Sequence, residues 1–258
     1  MSIFMVRDGF RGGKEKYDFS ALSLWRSIQL IVIPITAYSL GLLPSLTLFV
    51  LIFPRLTLTH PLHLIFFSFF IVIEFFIFML FETLIPGFFI KLSNAYPQEG
   101  TYDISIRDKT FFKLALHTML YRPPLKLIEQ FKLFPLRLML HKLGGLRIGK
   151  TSILPGTELF YDPYSVEIGE NTLFGGYVKV TGHIIEKKLN IQKIKIGNNC
   201  LIGAETYILP GVTIEDNVTV GIRSLIPKNK TLKEGNTYAG IPVREISTKS
   251  TDNNEQKK

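Results

Sequence analysis

The sequence predicts a mainly β chain. A parallel β-solenoid of six-residue repeats follows two transmembrane α-helices and a basic, interfacial helical connector. Three observations carry this reading. Two apolar stretches in the first third each exceed the ~20 residues that cross a bilayer. The segment after them mixes leucines and aromatics with basic residues and prolines. From Ile148 onward, an aliphatic or aromatic residue recurs at every sixth place.

The segments divide at 1–26, 27–92, 93–142, 143–246 and 247–258. Of the 258 residues 47 % are hydrophobic, and the net charge is +9. A positive balance of this size points to anionic partners: a lipid surface, a phosphorylated co-substrate or nucleic acid. One cysteine, Cys200, excludes an internal disulfide framework and any multi-cysteine metal site, and no metal is expected.

Ile28–Phe53 and Leu64–Ile90 show no polar face, which sets them apart from core helices of a soluble domain. The first stretch starts after 27 residues and no small-x-small site follows it, so it does not read as a cleaved signal. Basic residues flank the hairpin at Arg7, Arg11, Lys14, Lys16 and Arg26, and again at Lys91, Arg107, Lys109, Lys113 and Arg122. The connection between the spans holds only Arg55. The positive-inside rule then places both termini and the solenoid in the cytoplasm. Glu74 falls near the middle of the second span, where charge is costly. It reads either as a relay or binding group, or as a protonated acid bonded to Thr36, Tyr38 or Ser39.

Thr110–Lys142 carries six basic residues (Lys113, Arg122, Lys126, Lys132, Arg137, Lys142) against one acid, Glu129. Pro123, Pro124 and Pro135 are expected to cut it into short helices lying on anionic headgroups. No groove-reading or RNA-binding motif is present, so nucleic acid is not expected as a partner. His60, His63, His117 and His141 are expected at the interface. The polar tail from Ser247 is expected to be disordered.

In the solenoid, the anchors fall at Ile148, Leu154 and Phe160, then Ile168, Phe174 and Val180. They resume at Ile196 and continue at Ile202, Ile208, Ile214, Val220, Ile226 and Leu232. A period of six fits neither an amphipathic helix nor a hairpin meander. It fits a solenoid whose short faces stack their anchors into one apolar column. Mostly small residues four places after each anchor, Cys200 among them, suit the turns. The rhythm breaks twice, briefly after Phe160 and at length in "VTGHIIEKKLNIQKIKIG", just after His183, the solenoid's only histidine.

This register, with "IKIGNNCLIGAETYILPGVTIEDNVTVGIRSLIPKN" and the closing "YAGIPVREI", resembles the hexapeptide-repeat acyltransferases over about residues 143–246. The resemblance implies a left-handed parallel β-helix, a homotrimer, and acyl-CoA or another acyl thioester as co-substrate, with no permanently bound cofactor. It puts His183, at the end of "VTGH", in the place of the general base, and the Ala204 backbone N–H in the place of the oxyanion donor. Gly203, Ala204, Ile222, Lys228 and Arg244 take the places that line the coenzyme A groove between subunits. Ile222 and Arg223 stand where that family often has two small residues, and its asparagine facing the base has no counterpart around Pro155–Thr157.

A neutral imidazole is the right group for such chemistry, because it removes a proton from an attacking amine or hydroxyl at neutral pH. The layout also looks like one unit of the membrane-embedded C-terminal region of the ε-poly-L-lysine synthetases, in which an acidic or polar residue follows the histidine by three places, as Glu186 does here. Asp162 reads as a group for a cationic acceptor or as the end of a turn before Pro163. The expected function is transfer of an acetyl or aminoacyl group to an amine, hydroxyl, amino-acid or saccharide acceptor. The other class left open is a non-catalytic trimeric scaffold at the membrane.

Overall fold

The computed structural model describes residues 21–55 and 61–246. The basic residues before Arg26, His60 and the tail from Ser247 lie outside them. The described chain forms two compact units. One gathers the residues up to Phe131 together with Ile184–Ile191; the other holds Lys132–His183 and continues from Gln192.

In the first unit, α1 (Ala21–Ile52) and α2 (Pro61–Leu92) form an antiparallel hairpin. Both are long and apolar enough to cross a membrane. Large apolar side chains such as Ile35, Val50, Phe66 and Phe69 stand more than half exposed on their outer surface, as a lipid-facing helix requires. Pro34 and Pro44 lie inside α1 and Pro86 inside α2. Glu74 does not bond to Thr36, Tyr38 or Ser39: Ser45 Oγ donates to its Oε2 at 2.6 Å. Tyr38 instead donates to the Met119 carbonyl at 2.7 Å.

The connector is less broken than its prolines suggest. α3 (Lys109–Phe131) runs through Pro123 and Pro124. The two prolines leave the Met119 and Leu120 carbonyls without a helical N–H, and the Tyr38 hydroxyl reaches them at 2.7 and 3.2 Å. Asp108 Oδ1 caps the helix start by accepting from the Thr110 and Phe111 N–H groups at 2.6 and 3.0 Å. The break falls at Lys132, which takes a positive φ of 55°. α4 (Phe134–Leu143) then starts with Pro135 in its first turn, where a missing N–H costs nothing.

Two expected interfacial histidines are core residues. His117 is buried with its ring 5.3 Å from that of Tyr121. His141 on α4 is fully buried, its ring edge-on to Phe160 at 5.2 Å. Arg137, read as a surface charge, is buried too and forms an ion pair with Glu158.

The second unit is the solenoid, whose strands form three parallel faces. Face I holds Arg147–Ile148, Val166–Ile168, Ile194–Ile196, Thr213–Ile214 and Thr231–Leu232. Face II holds Leu173–Phe174, Leu201–Ile202, Thr219–Val220 and Thr237–Gly240, with Val243–Glu245 returning antiparallel. Face III holds Leu159–Phe160, Lys179–Val180, Tyr207–Ile208 and Leu225–Ile226.

Register follows the repeat. Ile202 pairs with Val220, Ile208 with Ile226 and Ile214 with Leu232, each pair eighteen residues apart. Across the two interruptions, Phe160 pairs with Val180 (twenty apart) and Val180 with Ile208 (twenty-eight apart). The insertions are therefore two and ten residues, and the coil closes without them. Inside, the anchors from Phe160 to Leu232 form a continuous column, nearly all below 7 % exposed.

Most corners turn on a residue in the left-handed region. Asn171, Asn199 and Asn217, with φ of 55–60°, repeat at the corner from face I to face II, and asparagine tolerates that conformation. The small residues after the anchors bond from coil to coil. Ser152 Oγ donates to the Gly169 carbonyl at 2.7 Å, and Thr172 Oγ1 to that of Gly197 at 2.8 Å.

The ten-residue excursion is not an open loop. It forms a β-hairpin, His183–Ile185 with Leu189–Ile191, and the second strand pairs antiparallel with Gly100–Tyr102 of the helical unit. Leu189 and Ile191 are buried.

Candidate active site

The two insertions fall at the same corner, from face III to face I. Pairing of Phe160 with Val180 sets Asp162 beside Gly182, one coil below it. The two extra residues go into a 3-10 turn, Pro163–Ser165, which turns the Asp162 carboxylate toward the next coil.

Asp162 is buried, and its Oδ2 receives the N–H groups of Gly182 at 2.9 Å and His183 at 3.2 Å, together with the His183 imidazole Nδ1 at 2.7 Å. Tyr164 donates its hydroxyl to Oδ1 at 3.1 Å. Burial alone would raise the Asp162 carboxyl. The His183 ring and the Gly182 N–H outweigh it and hold the group below the usual carboxylate range. The acid is thus ionised at neutral pH and accepts from Nδ1–H, which leaves the ring lone pair on Nε2. The His183 side chain is 27 % exposed and Asp162 only 2 %. A sheltered carboxylate therefore orients a ring that solvent reaches.

Gly182 makes this approach possible: a Cβ there would lie 2.6 Å from that of Ser165 and overlap its hydroxyl. The glycine of "TGH" is thus required by the turn beneath it. Sequence reading named Asp162 but for another role. The signal was the register itself, which sets residue 162 under residue 182.

The other candidate residues lie elsewhere on the solenoid. Gly203, Ala204 and Ile222 occupy the corner from face II to face III, and face III separates them from His183 within one chain. Gly203 is small for a packing reason: a Cβ would stand 2.6 Å from the Gly221 carbonyl carbon and the Ile222 nitrogen. The Ala204 carbonyl accepts from the Arg223 N–H at 2.8 Å, and its own N–H has no backbone acceptor among the described residues. Ile222 is 71 % exposed. Arg223 folds onto Glu205, Nε to Oε2 at 2.9 Å.

Lys228 lies on the same corner as Asp162 and His183, in a later coil, and Arg244 lies on the antiparallel strand that ends face II. Glu186, exposed, lies in the excursion hairpin, its N–H donating to the Lys188 carbonyl at 3.2 Å. Cys200 is buried, and burial pushes its thiol up; Thr172 Oγ1 accepts its backbone N–H. Among the described residues no group of three or more His, Cys, Asp or Glu is placed to hold a metal ion.

In sequence, the solenoid segment is similar to hexapeptide-repeat acetyltransferases. The profile of the hexapeptide repeat of succinyl-transferase matches residues 193–221. Galactoside O-acetyltransferase of Escherichia coli K12 is 39 % identical over 111 residues, 40 % of this chain and 54 % of that protein. Delta-poly-L-ornithine synthetase of Acinetobacter baumannii AB307-0294 is 29 % identical over 118 residues, 43 % of this chain and 9 % of the larger protein. A maltose O-acetyltransferase structure from Clostridium difficile 630 superposes with a TM-score of 0.46 at 17 % identity, over 57 % of this chain and 91 % of that one. The chain thus spans about half the length of galactoside O-acetyltransferase.

Proposed function

We propose that this protein is a membrane-anchored acyltransferase that moves an acetyl, acyl or aminoacyl group from a thioester such as acyl-CoA to an amine or hydroxyl acceptor. The observation that carries the reading is the Asp162–His183 pair, 2.7 Å apart at an insertion of the solenoid. His183 Nε2 takes the acceptor's proton as its oxygen or nitrogen attacks the thioester carbonyl. The carbon–sulfur bond then breaks, the acyl group stays on the acceptor, and the thiolate leaves to pick up a proton. The Ala204 N–H is the proposed donor to the oxyanion.

Within one chain, His183 and Ala204 sit on different corners, so the reaction needs a second copy to bring them together. Face II supports this. Ile153, Leu173 and Leu201 stand in register on its outer side, 61 %, 43 % and 44 % exposed, whereas face I shows Arg147, Glu167 and Lys195 outward. We read the assembly as a homotrimer of left-handed β-helices. The thioester would lie between copies along Gly203, Ala204 and Ile222, with Lys228 and Arg244 meeting its phosphates. Asp162 is here the partner of His183 rather than an acceptor site; Glu186 remains available to an acceptor.

The two apolar helices support a bilayer anchor. The basic residues flanking them support a cytoplasmic solenoid, where acyl-CoA is made. An aminoacyl donor is the variant favoured by the likeness to the poly-L-ornithine synthetase.

The test is thiol release by the detergent-purified full chain, offered acetyl-CoA and longer acyl-CoAs with pooled sugars and amines. Acceptor-dependent release is expected. A protein that releases no thiol from any CoA or aminoacyl thioester, with any acceptor, would be the trimeric scaffold instead.

A further inference from the structure

The helical hairpin carries two carboxylates in its seam. Glu74 and Glu82 lie eight residues apart on α2, which is ~12 Å along a helix axis, and each is only 7 % exposed. Both face α1. Ser45 donates to Glu74 Oε2, and Glu82 lies against Gly41, where a Cβ would come within 3.0 Å of Oε1. Between Arg26 and Arg55 on one side, and between His63 and Lys91 on the other, there is no Lys, Arg or His. No basic side chain within these stretches is available to pair with either acid. At Glu74 one oxygen, Oε1, is buried, and among the described residues no hydrogen-bond donor reaches it.

The surroundings offer oxygen rather than nitrogen. The Ser45 hydroxyl has lone pairs to share. A buried carboxylate oxygen and a hydroxyl in a seam without basic side chains are oxygen donors of the kind that hold small hard cations.

We propose that Glu74, with Ser45, is a monovalent-cation station in the α1–α2 seam, at which a proton and a metal cation of the sodium class compete for the same carboxylate. Glu82 is the second carboxylate of the same seam. The inference rests on the reading of α1 and α2 as membrane spans and is independent of the acyl-transfer chemistry.

The test uses the full chain in detergent micelles at fixed pH and ionic strength, probed with dicyclohexylcarbodiimide, which modifies protonated carboxyls in apolar surroundings. Modification is located by peptide mass mapping, with sodium, lithium, potassium or choline as the chloride. Labelling at Glu74 is expected to fall several-fold with rising sodium or lithium and to be unmoved by choline. In parallel, sodium is expected to raise the unfolding temperature of the wild type and not that of Glu74→Gln. Labelling that no metal cation slows would overturn the proposal and leave a permanently protonated acid. Absence of labelling at Glu74 in every salt would also overturn it, because a station that exchanges cations must admit a proton. The wild-type salt series decides even if the variant does not fold, and thiol release is no part of the readout.

Discussion

At the residue scale, the argument turns on what a buried carboxylate does for an imidazole. Asp162 receives two backbone N–H groups and the ring Nδ1, so its position is fixed by the coil rather than by the histidine alone. Replacing it by asparagine keeps the shape but offers the ring an amide in place of an anion, and the wrong tautomer becomes accessible. The expected outcome for Asp162→Asn is a kcat lower by ~10²–10⁴-fold with little change in KM for the acceptor. Steady-state kinetics beside a thermal unfolding curve separates this from lost folding. A KM that rises with kcat intact would return Asp162 to acceptor binding. His183 was legible in the sequence because an interruption follows it in an otherwise regular repeat. The role of Asp162 was not, because a turn before proline explains the same residue; only the coil register puts it under Gly182.

At the scale of elements, α4 is held to the first coil by a buried cluster. Glu158 Oε1 lies 3.3 Å from Arg137 Nε and 3.4 Å from His141 Nε2, and Oε2 accepts the Gly156 N–H at 2.7 Å. Burial pushes the His141 imidazole below its ordinary value, and the Glu158 carboxylate recovers only part of that. His141 is therefore neutral in the folded protein at pH 7. Unfolding frees it to take up a proton below about pH 6.5, its ordinary value. The stability this contributes is full above that pH and falls as pH drops, with a slope of at most about 1.4 kcal/mol per pH unit for one proton. Hydrogen exchange, corrected for intrinsic rates, is expected to lose protection over Phe134–Phe160 on acidification from pH 7 to 5.5. The coils from Ile196 to Leu232 should change less, and His141→Gln should flatten the response. Equal loss in every coil would contradict the assignment. This cluster was hidden in the sequence, since a basic stretch with leucines is the same string whether it lies on headgroups or caps a solenoid. The solenoid strands that follow the repeat were readable, because a six-residue period leaves no other fold in which the anchors stack into one column.

At the scale of the whole molecule, the residues proposed for acyl transfer lie on two corners of one chain that a face keeps apart. Apolar side chains repeat in register on the outer side of face II. On the proposed reading a single solenoid is an incomplete enzyme, and the oligomer is part of the chemistry rather than an accessory. The two long apolar helices were plain from length and composition. The polar seam between them was not, because which side of an apolar helix meets its neighbour is decided by packing. Ser45 could be assigned to Glu74 only once the hairpin was folded. The excursion after His183, legible in the sequence only as a break in the repeat, adds its second strand to the helical unit, and no local signal marks that pairing.

The measurement closest to the central claim is the rate of acyl transfer by His183→Ala, compared with the wild type under saturating thioester and acceptor, with both proteins shown to have the same oligomeric state. The account predicts a kcat lower by ~10²–10⁴-fold, the contribution of a general base. A variant that transfers at the wild-type rate would contradict it, and the base would have to be sought elsewhere.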